Sequence, residues 1–417
     1  MAVDFTVTIK SSGGSYTTLS SAESAIDSDI STAVTTSQVF TISEASEAVI
    51  ADGTAIKGQT SAATGTLLHA TTTQAYIISV SGTFQAENII KTDDSGSTIT
   101  LDDTGDVIDN CVFECHAQDL DDSVAVNGWT TGTTVGTHGI VFTCPVGQRH
   151  DGTDRDLSGQ GFKISSSADK VIEIAGVVDS FKMEWLNVEG INQSAFAKTG
   201  SGGDIEIKNC VCSRSGTTGN EIAINIAAAN EYVLENIILT VANYRGIDAR
   251  LSTKLTMSHC TTFGNETDST YGILLDNDNT DVVKNCITTG FVTTNWFNSS
   301  GAGRLHRKNA TDDTNEAEDT DSPDSLLVVA TDEFVAVSSA LGTADFHLKT
   351  ASESEGAGEA GVSTIDIDND SRDGSTPDIG ADEFVAAVGG RIMSSLAGSG
   401  GLAGFGGIAG QGGGLAA

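Results

Sequence analysis

Residues 281–291 read DVVKNCITTGF, an apolar–polar alternation that runs into Asn285-Cys286 and then resumes with more strand-forming residues. Alternation of this kind marks a strand buried on one face, and Asn followed by a small residue marks a corner. Relatives of the stretch recur upstream as FKMEWLNVEG, DIEIKNCVCS, YVLENIILTV and KLTMSHCTTF. Aligned on the corner, they place Asn187, Asn209, Asn236, His259 and Asn285 at spacings of 22, 27, 23 and 26 residues. Trp185, Ile207, Leu234, Met257 and Val283 stand two positions before, and Val188, Cys210, Ile237, Cys260 and Cys286 one position after.

Variable spacing with constant side-chain orientation is what a coil of parallel strands produces. Equivalent residues of successive turns stack about 4.8 Å apart, inward positions form apolar columns, and loops of unequal length leave at the corners. Leucine-rich repeats need stricter leucine spacing, and propeller blades need about 40 residues. Further segments fall into step: EIAIN, GIDAR and GILLD bring Ile222, Ile247 and Ile273 together, and DVIDNCVFEC sets Asn110 before Cys111. Asn tolerates the left-handed backbone of a tight corner, and its amide can bond to the amide stacked above it. The neighbouring cysteines read as interior filling, so Cys210, Cys260 and Cys286 are expected to be buried and unmodified. The seven cysteines show no zinc-type spacing, and nothing in the columns supplies the histidine partner a catalytic thiol needs.

Composition agrees. The 417 residues include 47 Gly and only 3 Pro, and long Lys- and Glu-rich helical segments are missing, which favours β structure with many corners. A net charge of −36 would repel a phosphate backbone, so no nucleic-acid partner is expected. The start, MAVDFTVTIKSSGG, has neither a basic nor an apolar signal region, and no run of 18 apolar residues offers a membrane span.

The repeat, the opening GGSYTTLSSAESAI and the stretch from Asp345 to Phe384 ending in DIGADEF together resemble the right-handed parallel β-helix superfamily, the pectate-lyase-like group. The resemblance implies an all-β solenoid. An N-terminal cap with a short amphipathic helix is expected in residues 1–60, the coils in 61–388 with a closing segment at 345–385, and a Gly-rich tail in 389–417. It also implies that Arg372 and Glu383 pair to seal the last coil.

The polysaccharide hydrolases of this group carry Asn-Thr-Asp, Asp-Asp, Gly-His-Gly and Arg-x-Lys. Here NTD occurs at 279–281, no Gly-His-Gly follows, and HRK at 306–308 departs from the pattern. Asp276, Asp278 and Asp281 are the catalytic candidates, with Arg304 and Arg307 nearby, and the incomplete set implies little or no activity. Asp366, Asp368 and Asp370 alternate like the start of a calcium loop, but Ser371 stands where Gly is needed and Pro377 where the bidentate Glu belongs. An incidental Ca²⁺ is the most these residues suggest, and no other cofactor is expected. The Asn-x-Ser/Thr sequons at Asn192, Asn265, Asn298 and Asn309 carry no weight in a chain read as not secreted.

The expected function is that of a virion structural protein: a phage tail spike, fibre or head appendage, made in the host cytoplasm, touching host-surface glycan and other virion proteins. Phage spikes of this fold are usually trimers, so a homo-oligomer is expected. The alternatives are a polysaccharide hydrolase or lyase, and a cell-surface adhesin or filament subunit. The tail supplies an assembly element: Gly398, Gly401, Gly404, Gly407, Gly410 and Gly413 fall three apart, and Leu396, Leu402, Phe405 and Ile408 form an apolar edge beside them. Such an edge is expected to dock on symmetry mates or a neighbouring protein.

Overall fold

The computed structural model describes residues 2–384 apart from 27–37, 45–49, 72, 92–97, 128, 130, 132–138, 151–160, 168–169, 176–177, 217–221, 227–230, 250–253, 266–267, 276–280, 299–304, 314–323 and 338–343. The tail, with Leu396, Leu402, Phe405 and Ile408, lies outside the described residues.

The chain winds through three parallel sheets in turn. One coil runs from Ser180–Glu184 in the first sheet through Leu186–Gly190 in the second to Phe196–Lys198 in the third, and the next begins at Asp204–Lys208. Each strand pairs in parallel with its counterpart one coil away, so the protein is a parallel β-helix. Two inward columns of the first sheet show why the sequence alternates as it does. Val7, Phe113, Phe142, Met183, Ile207, Leu234, Met257 and Val283 stack in one, and Phe5, Cys111, Ile140, Phe181, Ile205, Tyr232 and Leu255 in the other; all are inaccessible to solvent. Phe113, Phe142 and Phe181 meet edge to face at 5.1 Å, the preferred geometry for aromatic quadrupoles. Outward positions of the same sheet carry a charge ladder, Glu184–Lys182–Glu206–Lys208–Glu235, with contacts of 2.6–3.4 Å.

The first and second sheets meet at a single residue with a left-handed backbone. The corner residues are Trp185, Asn209, Asn236, His259, Asn285 and Lys308, with φ between 49° and 62°. Their side chains stack as the repeat implies: Asn236 Nδ2 donates to Asn209 Oδ1 at 2.9 Å, and Asn285 Nδ2 meets His259 Nε2 at 3.0 Å. The cysteine after the corner has a second reason to be there. Cys210, Cys260 and Cys286 are buried, and each thiol donates to the carbonyl two residues back, at 3.1–3.2 Å. A small side chain with a weak donor fills the column and also satisfies a buried carbonyl.

Three registers differ from the sequence reading. Trp185, not Asn187, is the corner of its coil; Asn187 pairs two positions later, beside Val211. Trp185 holds the strained position because Arg149 stacks over its ring at 4.3 Å and His150 lies beside it, so an indole is buried there rather than an amide. Ile224, not Ile222, is in step with Ile247 and Ile273. Asn110 lies in the middle of strand Asp106–Cys115 rather than at a corner, bonded to Asp4 and to the amide of Gly139, and Cys111 joins the Phe5 column.

The N-terminal residues cover the first coil. Strand Ala2–Ile9 pairs in parallel with Asp106–Cys115, and helix Leu19–Ile26 buries Leu19, Ala22 and Ile26 over the first coil. Between them the chain departs from the expected coils. The strands from Gln38–Glu44 to Thr98–Leu101 pair antiparallel and enclose their own core around Phe40, Ile56, Leu67, Ile77 and Phe84. Residues 61–101 are therefore an antiparallel extension of the first sheet, and coiling resumes at Asp106.

Candidate functional site

The closing segment does not lie over the end of the last coil. It runs along the flank, across the outer face of the second sheet and over the corner ladder. Phe346, Leu348, Ile367, Ile379 and Ala381 pack on Val211, Ile238, Phe263 and Ile287. Asn236 Nδ2 donates to Ile365 O at 2.9 Å, Gly380 N to Asn285 O at 2.8 Å, and Asn285 and Glu359 exchange a pair of bonds at 2.7 and 2.9 Å. His150 Nε2 meets Asn209 O at 3.0 Å, so the loop before it covers the earlier corners as the closing segment covers the later ones.

Arg372 is the centre of this clasp. Its guanidinium is buried and reaches Glu383 at 3.3 Å, Asn236 Oδ1 at 3.2 Å and the carbonyls of Ile365, Gly380, Ala381 and Asp382 at 2.7–3.2 Å. The Arg372–Glu383 pair expected from sequence is present, but it ties the segment to the flank. The acids around it act as acceptors for backbone amides. Glu383 takes the N–H of Asp373 and Asp378, Asp378 that of Gly356 and Phe384, and Asp382 that of Leu348.

The alternating Asp366, Asp368 and Asp370 do not converge on a point. Asp366 is buried, with Oδ1 accepting from the amides of Asp368 and Asp370 at 3.0 and 2.7 Å, and Oδ2 from that of Glu383 at 3.3 Å. Burial, then the charges of Asp368 and Asp382, push its carboxyl up to about 7. Asp370 is exposed. Among the described residues the ligand atoms that gather within 4.8 Å belong to His347, Asp368 and Asp382. His347 is held between Asp345 at 2.6 Å and Asp368 at 2.7 Å. Burial opposes its charge, but these two bonds and the charges of Asp368 and Asp382 outweigh it and raise the imidazole to about 11. A histidine so placed is an imidazolium bound by carboxylates, an internal cation where a metal ion would otherwise sit.

Asp276, Asp278 and Arg304 lie outside the described residues. Asp281 continues the inward column after Leu255; it is fully buried, and its Oδ1 accepts the Leu255 amide at 2.8 Å. It stands just before strand Val282–Lys284, where its carboxylate holds the neighbouring strand, and its burial gives no access to a polymer.

The cleft that could take a ligand went unseen in the sequence. It lies where the second sheet turns into the third in the last coils, encloses about 310 Å³, and is lined by Gly290, Phe291, Val292, Thr293, Asn295, Asp312 and Asp313. Phe291 lies over Gly264 and Gly272, where a Cβ would come within 2.9 and 3.1 Å of its ring. Asn295 is buried, and its Nδ2 donates to Thr311 Oγ1 at 2.8 Å and Asp312 Oδ1 at 2.5 Å. Asp312 Oδ2 accepts the Gly290 amide at 2.8 Å. The signal was Gly264, Gly272 and Gly290, glycines on neighbouring coils flanking an aromatic, but only the coil register shows that they meet.

No protein-family pattern matches the chain, and no curated protein matches it in sequence. Among solved structures it is similar to the crystal structure of pectate lyase Pel9A, at 15% identity and a TM-score of 0.31, over 66% of this chain and 88% of that one.

Proposed function

We propose that this chain is a virion structural protein, a tail spike, fibre or head appendage, whose β-helix binds host-surface glycan and whose Gly-rich tail docks on copies of itself or on a neighbouring virion protein. The observation that supports glycan binding is the cleft: an aromatic face beside an amide, a threonine and two carboxylates, on a rigid coil wall. Sugars are bound by that combination, with the ring stacked on the apolar face and hydroxyls held by planar polar groups. The sequence supports assembly through Leu396, Leu402, Phe405 and Ile408, since a free tail would leave four large apolar side chains in water.

The test is retention of the full-length protein on immobilised host-surface polysaccharide, with release of reducing or unsaturated ends followed in the same samples. Retention without release, weakened at least tenfold by Phe291→Ala, is expected. Release of reducing or unsaturated ends from the bound polymer would establish the hydrolase or lyase instead. Absence of the chain from purified particles would remove the virion role.

A further inference from the structure

The chemistry of the cleft is one-sided. Three of its backbone donors are engaged: the amide of Gly290 is given to Asp312, that of Val292 to Ser269 O at 2.8 Å and that of Thr293 to Thr270 O at 3.2 Å. Both protons of Asn295 Nδ2 are engaged by Thr311 and Asp312. Its Oδ1 is buried and has no hydrogen-bond partner among those described. The amide orientation is fixed, because only the nitrogen can face the Asp312 carboxylate. Asp312 and Asp313 add further acceptors, while Thr293 Oγ is the one side-chain hydroxyl in the lining.

We propose that the cleft binds a sugar residue that donates through hydroxyl or ammonium groups and carries no carboxylate, so that neutral and amino sugars are taken and uronates are rejected. The proposal rests on the glycan reading above and narrows it. An anionic sugar would bring its charge against Asp312 and Asp313 with no Lys, Arg or His in the lining to receive it, on a chain whose net charge is −36. The Phe291 ring and a volume of about 310 Å³ suit a single pyranose stacked on an apolar face; a bare metal ion would leave most of that space unfilled.

Calorimetric titration of the full-length protein with cellohexaose, a fully deacetylated glucosamine hexamer and hexagalacturonate, each with and without Ca²⁺, tests this. The neutral or amino hexamer is expected to bind at least about tenfold more tightly than the uronate. Phe291→Ala should weaken that binding about tenfold, and Asp312→Asn with Asp313→Asn should shrink the preference to below about threefold. Circular dichroism confirms that each variant keeps its sheet content. Hexagalacturonate bound as tightly as the others overturns the selectivity while leaving glycan binding intact. Failure of every sugar to bind removes the glycan reading itself. Ca²⁺ bound alone, with no heat from sugar, makes the cleft a cation site and overturns the proposal, as does sugar binding indifferent to Phe291→Ala.

Discussion

Replacing Asn236 with alanine should damage the protein out of proportion to the three heavy atoms removed. The amide ties one corner to the next through Asn209 Oδ1, and ties the corner to the clasp through Ile365 O and Arg372 Nη2. Arg372 and Ile365 O keep other partners, but Asn209 Oδ1 has no other bond among those described. Three lost bonds at about 1 kcal/mol each, plus about 1 kcal/mol for placing alanine at a φ of 52°, give about 4 kcal/mol. Asn236→Gly separates the two contributions, because glycine accepts the left-handed backbone; it should be destabilised by about 3 kcal/mol. Urea unfolding followed by circular dichroism measures both, and amide exchange across residues 365–384 shows whether the clasp loosens first. An alanine variant within 1 kcal/mol of the parent, or a glycine variant no better than alanine, would refute the corner ladder as a source of stability.

Three further outcomes follow from the same geometry. Cys210, Cys260 and Cys286 should resist thiol reagents in the native protein and react only on unfolding, since all three are inaccessible and burial raises the thiols of Cys210 and Cys260 well above their usual range; labelling within minutes would contradict the packing. The clasp should weaken as pH rises. Burial raises Asp378 and Asp382 to about 6 and Asp366 to about 7, so the stability these acids give below their unfolded value near 4 is lost through pH 6–7, and that from His347 is lost between its unfolded value of 6.5 and about 11. The thermal midpoint should therefore be higher at pH 5 than at pH 8, and the reverse order would show the acids to be paired differently. Truncation after Gly390 should leave a folded β-helix that no longer assembles, and normal assembly would reduce the tail to a linker.

The coils were legible because a buried column punishes any polar intruder, so the alternation in DIEIK, YVLE and KLTM had to be strict. The register was less legible where a corner was filled by an unexpected residue. Trp185 carries the left-handed corner because a loop some 35 residues earlier buries it, and nothing local in FKMEWLNVEG tells Trp185 from Asn187. The antiparallel strands of residues 38–101 read as one more stretch of Ser/Thr-rich alternation, since period two does not record strand direction. The pairing of Arg372 with Glu383 could be read from the closing motif, but its place on the flank depends on apolar residues such as Val211 and Ile238 facing outward. The cleft was invisible because it joins residues from two coils, and Asn295 gives no sign in sequence that one of its atoms lacks a partner.

Every site described depends on the coil register, and one cross-link decides it. In the structure Lys182 lies beside Glu206, their side chains 3.4 Å apart, whereas an alignment of Asn187 with Asn209 would set Glu184 beside Glu206. Neighbouring parallel strands bring paired Cα atoms to about 5 Å, within reach of a disulfide, and a two-residue slip moves them to about 8 Å, beyond it. The pair Lys182→Cys and Glu206→Cys should oxidise to a disulfide detected by mass spectrometry in the native protein, while Glu184→Cys with Glu206→Cys should stay reduced. The opposite result would contradict the register of this coil against the next, and with it Trp185 as the corner that opens the ladder.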